Sequence, residues 1–164
     1  MIMVGCPIHS RVEYVDGYMD WLFNLNFPHD KLRVVFLVNN AHDGTLEKLL
    51  DYQREESSTF NAFDVYLAPD FPDFVPYPRN YSLYAQLRNR WLSYRHNEDY
   101  IFSVDSDITV EPDSLKKLIK RDKDICSIAV NTADPSYHVY NFMVRQNGHL
   151  NHSPIPAKTL LEVD

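Results

Sequence analysis

The stretch that decides the fold is Tyr100-Ile101-Phe102-Ser103-Val104, which runs directly into Asp105-Ser106-Asp107. A short run of mainly apolar residues is typical of a buried strand. Successive side chains of an extended segment point to opposite faces, so we expect Asp105 and Asp107 to point the same way. Neighbouring carboxylates repel each other unless a cation lies between them, and oxygen-only ligands suit Mg²⁺ or Mn²⁺. The sequence therefore predicts a metal site, held by Asp105 and Asp107, at the carboxyl end of a central strand.

On both sides of this strand, apolar runs of strand length alternate with amphipathic helix patterns. This alternation predicts βαβ units, right-handed crossovers and a mainly parallel, Rossmann-like α/β sheet flanked by helices. The helix near residue 46 is expected to bury Leu46, Leu49 and Leu50, and the helix at 80–96 carries Tyr84, Leu87, Trp91 and Tyr94 along one face. The predicted strands cover residues 2–7, 32–38, 63–67, 100–104 and 125–130, and the predicted helices cover residues 12–25, the region from 46, 80–96 and the region from 112 to 119.

The C-terminal part of the chain has a different pattern. Residues 137–145 alternate loosely, and Gln146-Asn147-Gly148-His149 is a hairpin turn signal. No repeat or internal linker interrupts the chain. We therefore expect one domain over residues 1–164, with an α/β core at 1–131 and a β-rich hairpin extension at 132–164.

Composition excludes several classes of partner. The formal net charge is −7 and there is no block of Lys and Arg, which argues against a nucleic-acid polymer as partner. No apolar run reaches the roughly 18 residues that a membrane-spanning helix needs, so no membrane segment is expected. Cys6 and Cys126 each lie in an apolar run and are predicted to be small core residues. Unpaired cysteines favour a cytoplasmic location.

Three known motifs contain an Asp-x-Asp pair. The EF-hand loop is excluded because its sixth position is Val110 and its twelfth is Lys116, where glycine and glutamate are needed. The haloacid-dehalogenase phosphatase signature, Asp-x-Asp-x-Thr, fits Asp105 to Thr109 better and uses the first aspartate as nucleophile. It also requires a downstream lysine and a further acidic pair, and after Thr109 the chain has Lys158 but no adjacent acidic pair.

The third motif is the Asp-x-Asp of GT-A glycosyltransferases, and this resemblance extends over residues 1 to about 131. Segment 84–91 is similar to the family's arginine-asparagine helix, and segment 99–108 is similar to its strand ending in Asp-x-Asp. Residues 112–118 resemble the helix that follows this strand in the family. Residues 4–11 look like the first strand with its nucleoside-binding corner, and 38–45 look like the second strand. The chain thus resembles the N-terminal, nucleotide-binding part of a GT-A enzyme.

The resemblance implies a nucleotide-diphosphate sugar as donor, linked to UDP or GDP, with Mn²⁺ or Mg²⁺ as cofactor. It implies that Asp107 ligates the metal directly, that Asp105 contacts the ribose or a metal-bound water, and that Arg88 steadies the acidic site or the diphosphate. The identity of the nucleotide base stays open between uracil and guanine, because Asn39 and Asn40 occupy positions where the family often has acidic residues. The expected donor contacts are Pro7, His9, Arg11, Asn39, Asn40, Arg88, Asp105 and Ser106.

The second half of such an enzyme supplies the acceptor site and, in inverting members, the general base. No later acidic residue of this chain has a family-supported position, so we expect the catalytic base to lie outside the 164 residues. The acceptor, whether glycan, protein or lipid, is not written in the sequence. A module that binds a nucleotide or a glycan without catalysis is the alternative from a different functional class.

Overall fold

The computed structural model describes residues 1–68, 81–128, 143–146 and 149–152. The chain divides into two compact units, Met1–Ile119 and Lys120–Asp164. Within the described residues, no helix is both long enough and apolar enough to cross a membrane. The cytoplasmic location stays a prediction.

The first unit is built on a parallel sheet of four strands in the order β3-β2-β1-β4. This confirms the predicted α/β class with parallel strands and flanking helices. The strands are β1 (Ile2–Ile8), β2 (Leu32–Val38), β3 (Ala62–Leu67) and β4 (Tyr100–Ser103), and the helices are α1 (Val12–Phe23), α2 (Thr45–Glu56), α3 (Tyr81–Leu92) and α4 (Ser114–Ile119), with a 3₁₀ turn at His29–Lys31.

Strand alternation divides the core between the two faces of the sheet. Even-numbered residues of β1 and β2 pack against α1, α2 and α4, whereas odd-numbered residues pack against α3. The chain moves outward from β1 to β2 and β3, then returns through α3 to place β4 on the other side of β1. The strand order therefore reverses between β1 and β4, and in open α/β sheets ligands bind at such a switch point.

β1 approaches β2 very closely at Gly5, which lies opposite Val35. A Cβ at position 5 would lie 2.0 Å from the Val35 carbonyl oxygen, and the φ angle of +143° is one that side-chain-bearing residues rarely adopt. The same carbonyl accepts a hydrogen bond of 2.9 Å from the indole of Trp91 on α3. Gly5 is thus required for the spacing of the central strands.

A buried charge network joins the strands near their amino ends. Arg33 is only 5% exposed and donates to the carboxylates of Asp64, at 2.7 Å, and Glu98, at 3.0 Å. It also donates to the Tyr94 carbonyl at 2.8 Å and to the Tyr66 hydroxyl at 3.2 Å. The Tyr66 and Tyr94 rings stack at 3.9 Å beside it. Because each buried charge has a charged partner and further hydrogen bonds, the network is tolerated in the core.

One predicted strand is wrong over the residues that can be compared. Residues 125–128 of the predicted strand 125–130 form no strand, and residues 129–130 lie outside the described residues. Ile125 is 90% exposed and Cys126 is exposed, whereas Cys6 is buried as predicted. An apolar run predicts a strand only if a neighbouring strand pairs with it, and the sequence does not show whether such a neighbour is present.

Smaller differences concern the edges and faces of helices. The helix predicted at 12–25 ends at Phe23, and the one predicted at 80–96 ends at Leu92. Leu50 is exposed although it was predicted to be buried with Leu49, because only one of two adjacent helix positions can face the sheet squarely. Tyr84 is also exposed, since α3 buries the stripe Leu83, Leu87 and Trp91 at intervals of four.

The second unit contains an antiparallel pair of strands, β5 (Met143–Gln146) and β6 (His149–His152). Gln146 lies opposite His149, which is the register that the predicted hairpin turn requires. The two intervening residues, 147 and 148, lie outside the described residues. The remainder of the predicted extension at 132–164 also lies there.

Gly5→Ala is expected to destabilise the protein by about 3 kcal/mol or more, because the new methyl group overlaps the Val35 backbone and the φ angle is unfavourable. Gly17→Ala is the matched control, since nothing lies within 4 Å of its Cβ position in the interior of α1. The control should stabilise by about 0.5–1 kcal/mol. Urea unfolding of both variants measures the two changes, and equal stabilities would contradict the close approach at Gly5.

Arg33→Leu is expected to lower the free energy of unfolding by about 3–5 kcal/mol, because Glu98 would remain buried without its cation.

Burial alone would raise the pKa of Glu98, but hydrogen bonds from backbone amides and from Arg33 lower it below 4.5. The folded protein therefore holds this proton less tightly than the unfolded chain. The resulting stability is present above pH 4.5 and is lost as the pH falls through the lower folded pKa.

Glu98→Gln removes this titrating group, so the variant should lose less stability than the parent between pH 5 and pH 3. The measurement is the free energy of unfolding from urea titrations at several pH values. A Glu98→Gln variant with the same pH dependence as the parent would show that Glu98 does not contribute to acid unfolding.

Candidate functional site

The acidic pair lies in a tight turn directly after β4. β4 ends at Ser103, and the turn is closed by the Ile108 amide, which donates to the Asp105 carbonyl at 2.9 Å. The argument that Asp105 and Asp107 point the same way as members of an extended segment is therefore wrong. Ser and Asp favour turns once the chain leaves the sheet, because their side chains compete for backbone hydrogen bonds. Asp105 is half-buried and Asp107 is exposed.

Arg88 of α3 connects its helix to the end of β4. Its guanidinium donates to the hydroxyl of Ser103 and to the carboxylate of Asp105. The side chains of Arg88 and Asp105 are 38% and 48% exposed, so solvent screens the pair and its contribution to stability is small. Its effect is to fix the direction of the Asp105 carboxylate. Sequence reasoning missed Ser103, although it is the one serine or threonine in the apolar run 100–104.

β1 forms hydrogen bonds with the segment that carries the acidic turn. The Val104 amide donates to the Gly5 carbonyl at 3.3 Å, and the Ser106 backbone forms a hydrogen bond with the buried thiol of Cys6. Burial raises the pKa of this thiol well above its ordinary value, and the negative charge of Asp105 adds to the shift. Cys6 is therefore a neutral core residue beneath the site and not a nucleophile.

A second group of predicted residues lies at the carboxyl ends of β1 and β2. His9 Nδ1 donates to the Asn39 carbonyl at 2.5 Å, and the Asn39 amide donates to the Ile8 carbonyl at 2.9 Å. Asn39 is 1% exposed, and its side-chain oxygen has no hydrogen-bond partner among the described residues. Asn40 has a φ of +44°, in the left-handed region that asparagine tolerates well. This corner thus holds a buried acceptor that lacks a donor.

Asp43 holds the loop after β2 against the start of α1. One of its carboxylate oxygens accepts from the Val12 amide at 3.0 Å, and the other accepts from the amide and the hydroxyl of Thr45, at 3.1 and 2.6 Å. The Arg11 amide donates to the Thr45 hydroxyl at 2.8 Å. Burial would raise the pKa of Asp43, but these hydrogen bonds lower it. The sequence signal that could have found this role is Asp-x-Thr at a helix start.

The two other predicted donor contacts, Pro7 and the Arg11 side chain, make fewer polar contacts at this edge of the sheet. Pro7 is half-buried in β1 opposite Leu37. The exposed Arg11 guanidinium contacts the Ser10 carbonyl at 3.4 Å and lies 6.0 Å from the Tyr14 ring. Since β1 pairs with both β2 and β4, the predicted residues all lie at the carboxyl edge of the sheet, in one group at β1 and β2 and another at β4.

The donor atoms of the acidic turn fit a hard cation. Asp105, Ser106 and Asp107 offer only oxygen, and Mg²⁺ commonly takes one or two carboxylates, with substrate phosphates and water filling the other positions. In the part of the chain that the structure describes, no group of three or more His, Cys, Asp or Glu side chains could hold a metal. These residues could thus hold a cation together with a phosphate ligand, and they do not form a cage for a metal alone.

No protein-family model matches the chain. The anp1 subunit of the mannan polymerase II complex of Schizosaccharomyces pombe is 25% identical over 143 residues, which is 76% of this chain and 33% of the relative. The chain therefore spans about a third of the length of this curated relative.

Solved structures share the fold. The mannosyltransferase PcManGT from Pyrobaculum calidifontis, in complex with GDP-Man and Mn²⁺, superposes with a TM-score of 0.57 at 18% identity, over 73% of this chain and 31% of its own. TarS 1–349 from S. aureus gives a TM-score of 0.55 at 20% identity, over 73% and 31%. Its complex with UDP-GlcNAc gives 0.54 at 20% identity, over 73% and 30%. The chain therefore has the fold of the GT-A-type glycosyltransferases, which confirms the resemblance seen in its sequence.

Proposed function

We propose that this chain is the donor-binding part of a glycosyltransferase, which holds a nucleotide-diphosphate sugar and a divalent cation at Asp105-Ser106-Asp107. The observation that carries the proposal is the position of this acidic turn at the β1/β4 switch point, where Arg88 fixes one carboxylate. Ligands of open α/β sheets bind at such points. The likeness to nucleotide-sugar complexes of the same fold supports the proposal.

The two carboxylates have different roles in this proposal. Asp107 is exposed and ligates the cation, which is Mn²⁺ or Mg²⁺. Asp105 is held by Arg88 and contacts the ribose or a water on the cation. When bound, the cation neutralises the negative charge that develops on the departing diphosphate. The Arg88 guanidinium holds the Asp105 carboxylate in position beside the donor.

The nucleoside corner selects the base. The side-chain oxygen of Asn39 accepts a hydrogen bond and lacks a donor among the described residues, so an N–H of the base would satisfy it. Uracil and guanine both offer such an N–H, so this acceptor is compatible with UDP and with GDP. PcManGT was solved with GDP-Man and TarS with UDP-GlcNAc, so relatives of this fold use both.

Transfer to an acceptor is proposed for the whole protein. The chain spans about a third of its relatives' length. In this proposal, the general base and the acceptor site lie in the rest of the protein. A binding module without catalysis would share the donor site but would release no sugar in the presence of any acceptor.

Asp107→Asn is expected to abolish the Mn²⁺-dependent part of nucleotide binding, since an amide oxygen replaces a charged ligand. The affinity for GDP or UDP in the presence of Mn²⁺ should fall by at least about 10- to 100-fold, which is the loss seen when even outer-shell partners of metals are removed. Isothermal titration with GDP, UDP, GDP-Man and UDP-GlcNAc, each with Mn²⁺ or with EDTA, gives the measurement.

Asp30→Asn is the matched control, because Asp30 is exposed and precedes β2 at the amino edge of the sheet. This variant makes the same change of charge away from the site and should bind like the parent. Equal affinities of Asp107→Asn and Asp30→Asn would contradict the proposed metal site. Release of phosphate from a simple monoester, without nucleotide binding, would favour the phosphatase alternative.

A further inference from the structure

Helix α1 contacts both ends of the segment that carries the acidic turn. The Tyr18 hydroxyl donates to the Val104 carbonyl at 3.3 Å, and the Trp21 indole donates to the Val110 carbonyl at 2.8 Å. Val104 directly precedes Asp105, and Val110 follows two residues after Ile108. The hydrogen bonds from α1 therefore bracket the turn and do not touch the carboxylates themselves.

The two donors are held firmly in place. Tyr18 is 2% exposed and Trp21 is 7% exposed, and their rings meet edge to face with centroids 5.1 Å apart. Tyr18 also packs against Phe36 of β2, and Trp21 packs against Phe102 of β4. Residues three apart on a helix lie on the same face, so α1 presents both N–H and O–H groups to one strip of backbone. Because they are buried, neither group has water as an alternative partner.

The same helix is tied to the nucleoside corner at its other end. The Val12 amide donates to Asp43 in the loop that follows β2, and the Arg11 amide donates to the side chain of Thr45, the first residue of α2. A helix of 12 residues is about 18 Å long. α1 thus connects the loop beyond Asn39 with the backbone on either side of the acidic turn.

We propose that Tyr18 and Trp21 are positioning residues, which order the acidic turn so that Asp105 and Asp107 are preorganised for the cation. This inference rests on the proposed function, because it assigns a purpose to contacts around the proposed metal site. Neither side chain contacts the donor. Both act through the Val104 and Val110 carbonyls, which fix the two ends of the segment before any ligand binds.

Tyr18→Phe separates this role from ordinary packing. The phenyl ring keeps the contacts with Trp21 and Phe36, and only the hydrogen bond to Val104 is lost. Tyr52→Phe is the matched control, since the Tyr52 hydroxyl donates to the exposed Asp16 at 3.1 Å and has no contact with the acidic turn. Trp21→Phe tests the other end of the segment.

The first measurement needs no ligand. The Ile108 amide closes the acidic turn, so its hydrogen exchange reports how often the turn opens. In the full chain, we expect Tyr18→Phe to accelerate exchange at Ile108 about three- to tenfold, the effect of losing one hydrogen bond. Amides of β2 should exchange as in the parent. Tyr52→Phe should leave Ile108 unchanged, and Trp21→Phe should accelerate it.

The second measurement is the Mn²⁺ concentration that gives half-maximal binding of GDP or UDP. It should rise about three- to tenfold in Tyr18→Phe, while nucleotide affinity at saturating Mn²⁺ stays near that of the parent, because the ligands themselves are intact. The inference is overturned if Tyr18→Phe matches Tyr52→Phe in both measurements. If the parent protein shows no Mn²⁺-dependent binding, the proposed function fails, and exchange at Ile108 still supports or overturns the ordering of the turn by Tyr18.

Discussion

The close approach of β1 to β2 at Gly5 is the constraint on which the rest of the structure depends. Without a side chain at this position, the Val35 carbonyl can lie against β1 and still accept the indole hydrogen of Trp91. This bond fixes α3 on its face of the sheet. Arg88 lies one helical turn before Trp91, so the same contact determines that its guanidinium reaches Asp105. A packing requirement in the core thus sets the geometry of the acidic turn.

Among the described residues, two charge clusters lie at opposite ends of the strands. Arg33 is buried at the amino end with two carboxylates, and such a cluster makes removal of any single member costly. Arg88 and Asp105 are partly exposed at the carboxyl end, where the pair adds little to folding free energy. Because solvent weakens the interaction between Arg88 and Asp105, their charges remain available for a ligand. In the buried cluster, in contrast, Arg33 is paired with both Asp64 and Glu98, and these pairs stabilise the fold.

Much of the fold could be predicted from the sequence, because apolar runs and helical periodicity report directly on burial. The strands β1 to β4 and the parallel architecture follow from these patterns. The run at 125–128 shows the limit, since a strand needs a neighbour that local sequence does not reveal. Near the acidic turn, Arg88 was predictable from the resemblance of segment 84–91 to the family's helix, and its guanidinium contacts Asp105. Ser103 and Tyr18 were not, because periodicity indicates the face on which a side chain lies but not the hydrogen-bond partner of its hydroxyl, which is Arg88 for Ser103 and the Val104 carbonyl for Tyr18.

The acidic turn is supported from both faces of the sheet by different kinds of contact. α3 acts on a side chain, through the pair between Arg88 and Asp105, whereas α1 acts on the backbone, through Val104 and Val110. Backbone contacts fix where the carboxylates stand, and the side-chain pair fixes where one of them points. Asp107 is bound by neither and is exposed. At the proposed donor site, a cation would therefore meet one carboxylate whose direction Arg88 fixes and a second, exposed carboxylate whose backbone alone is held in place.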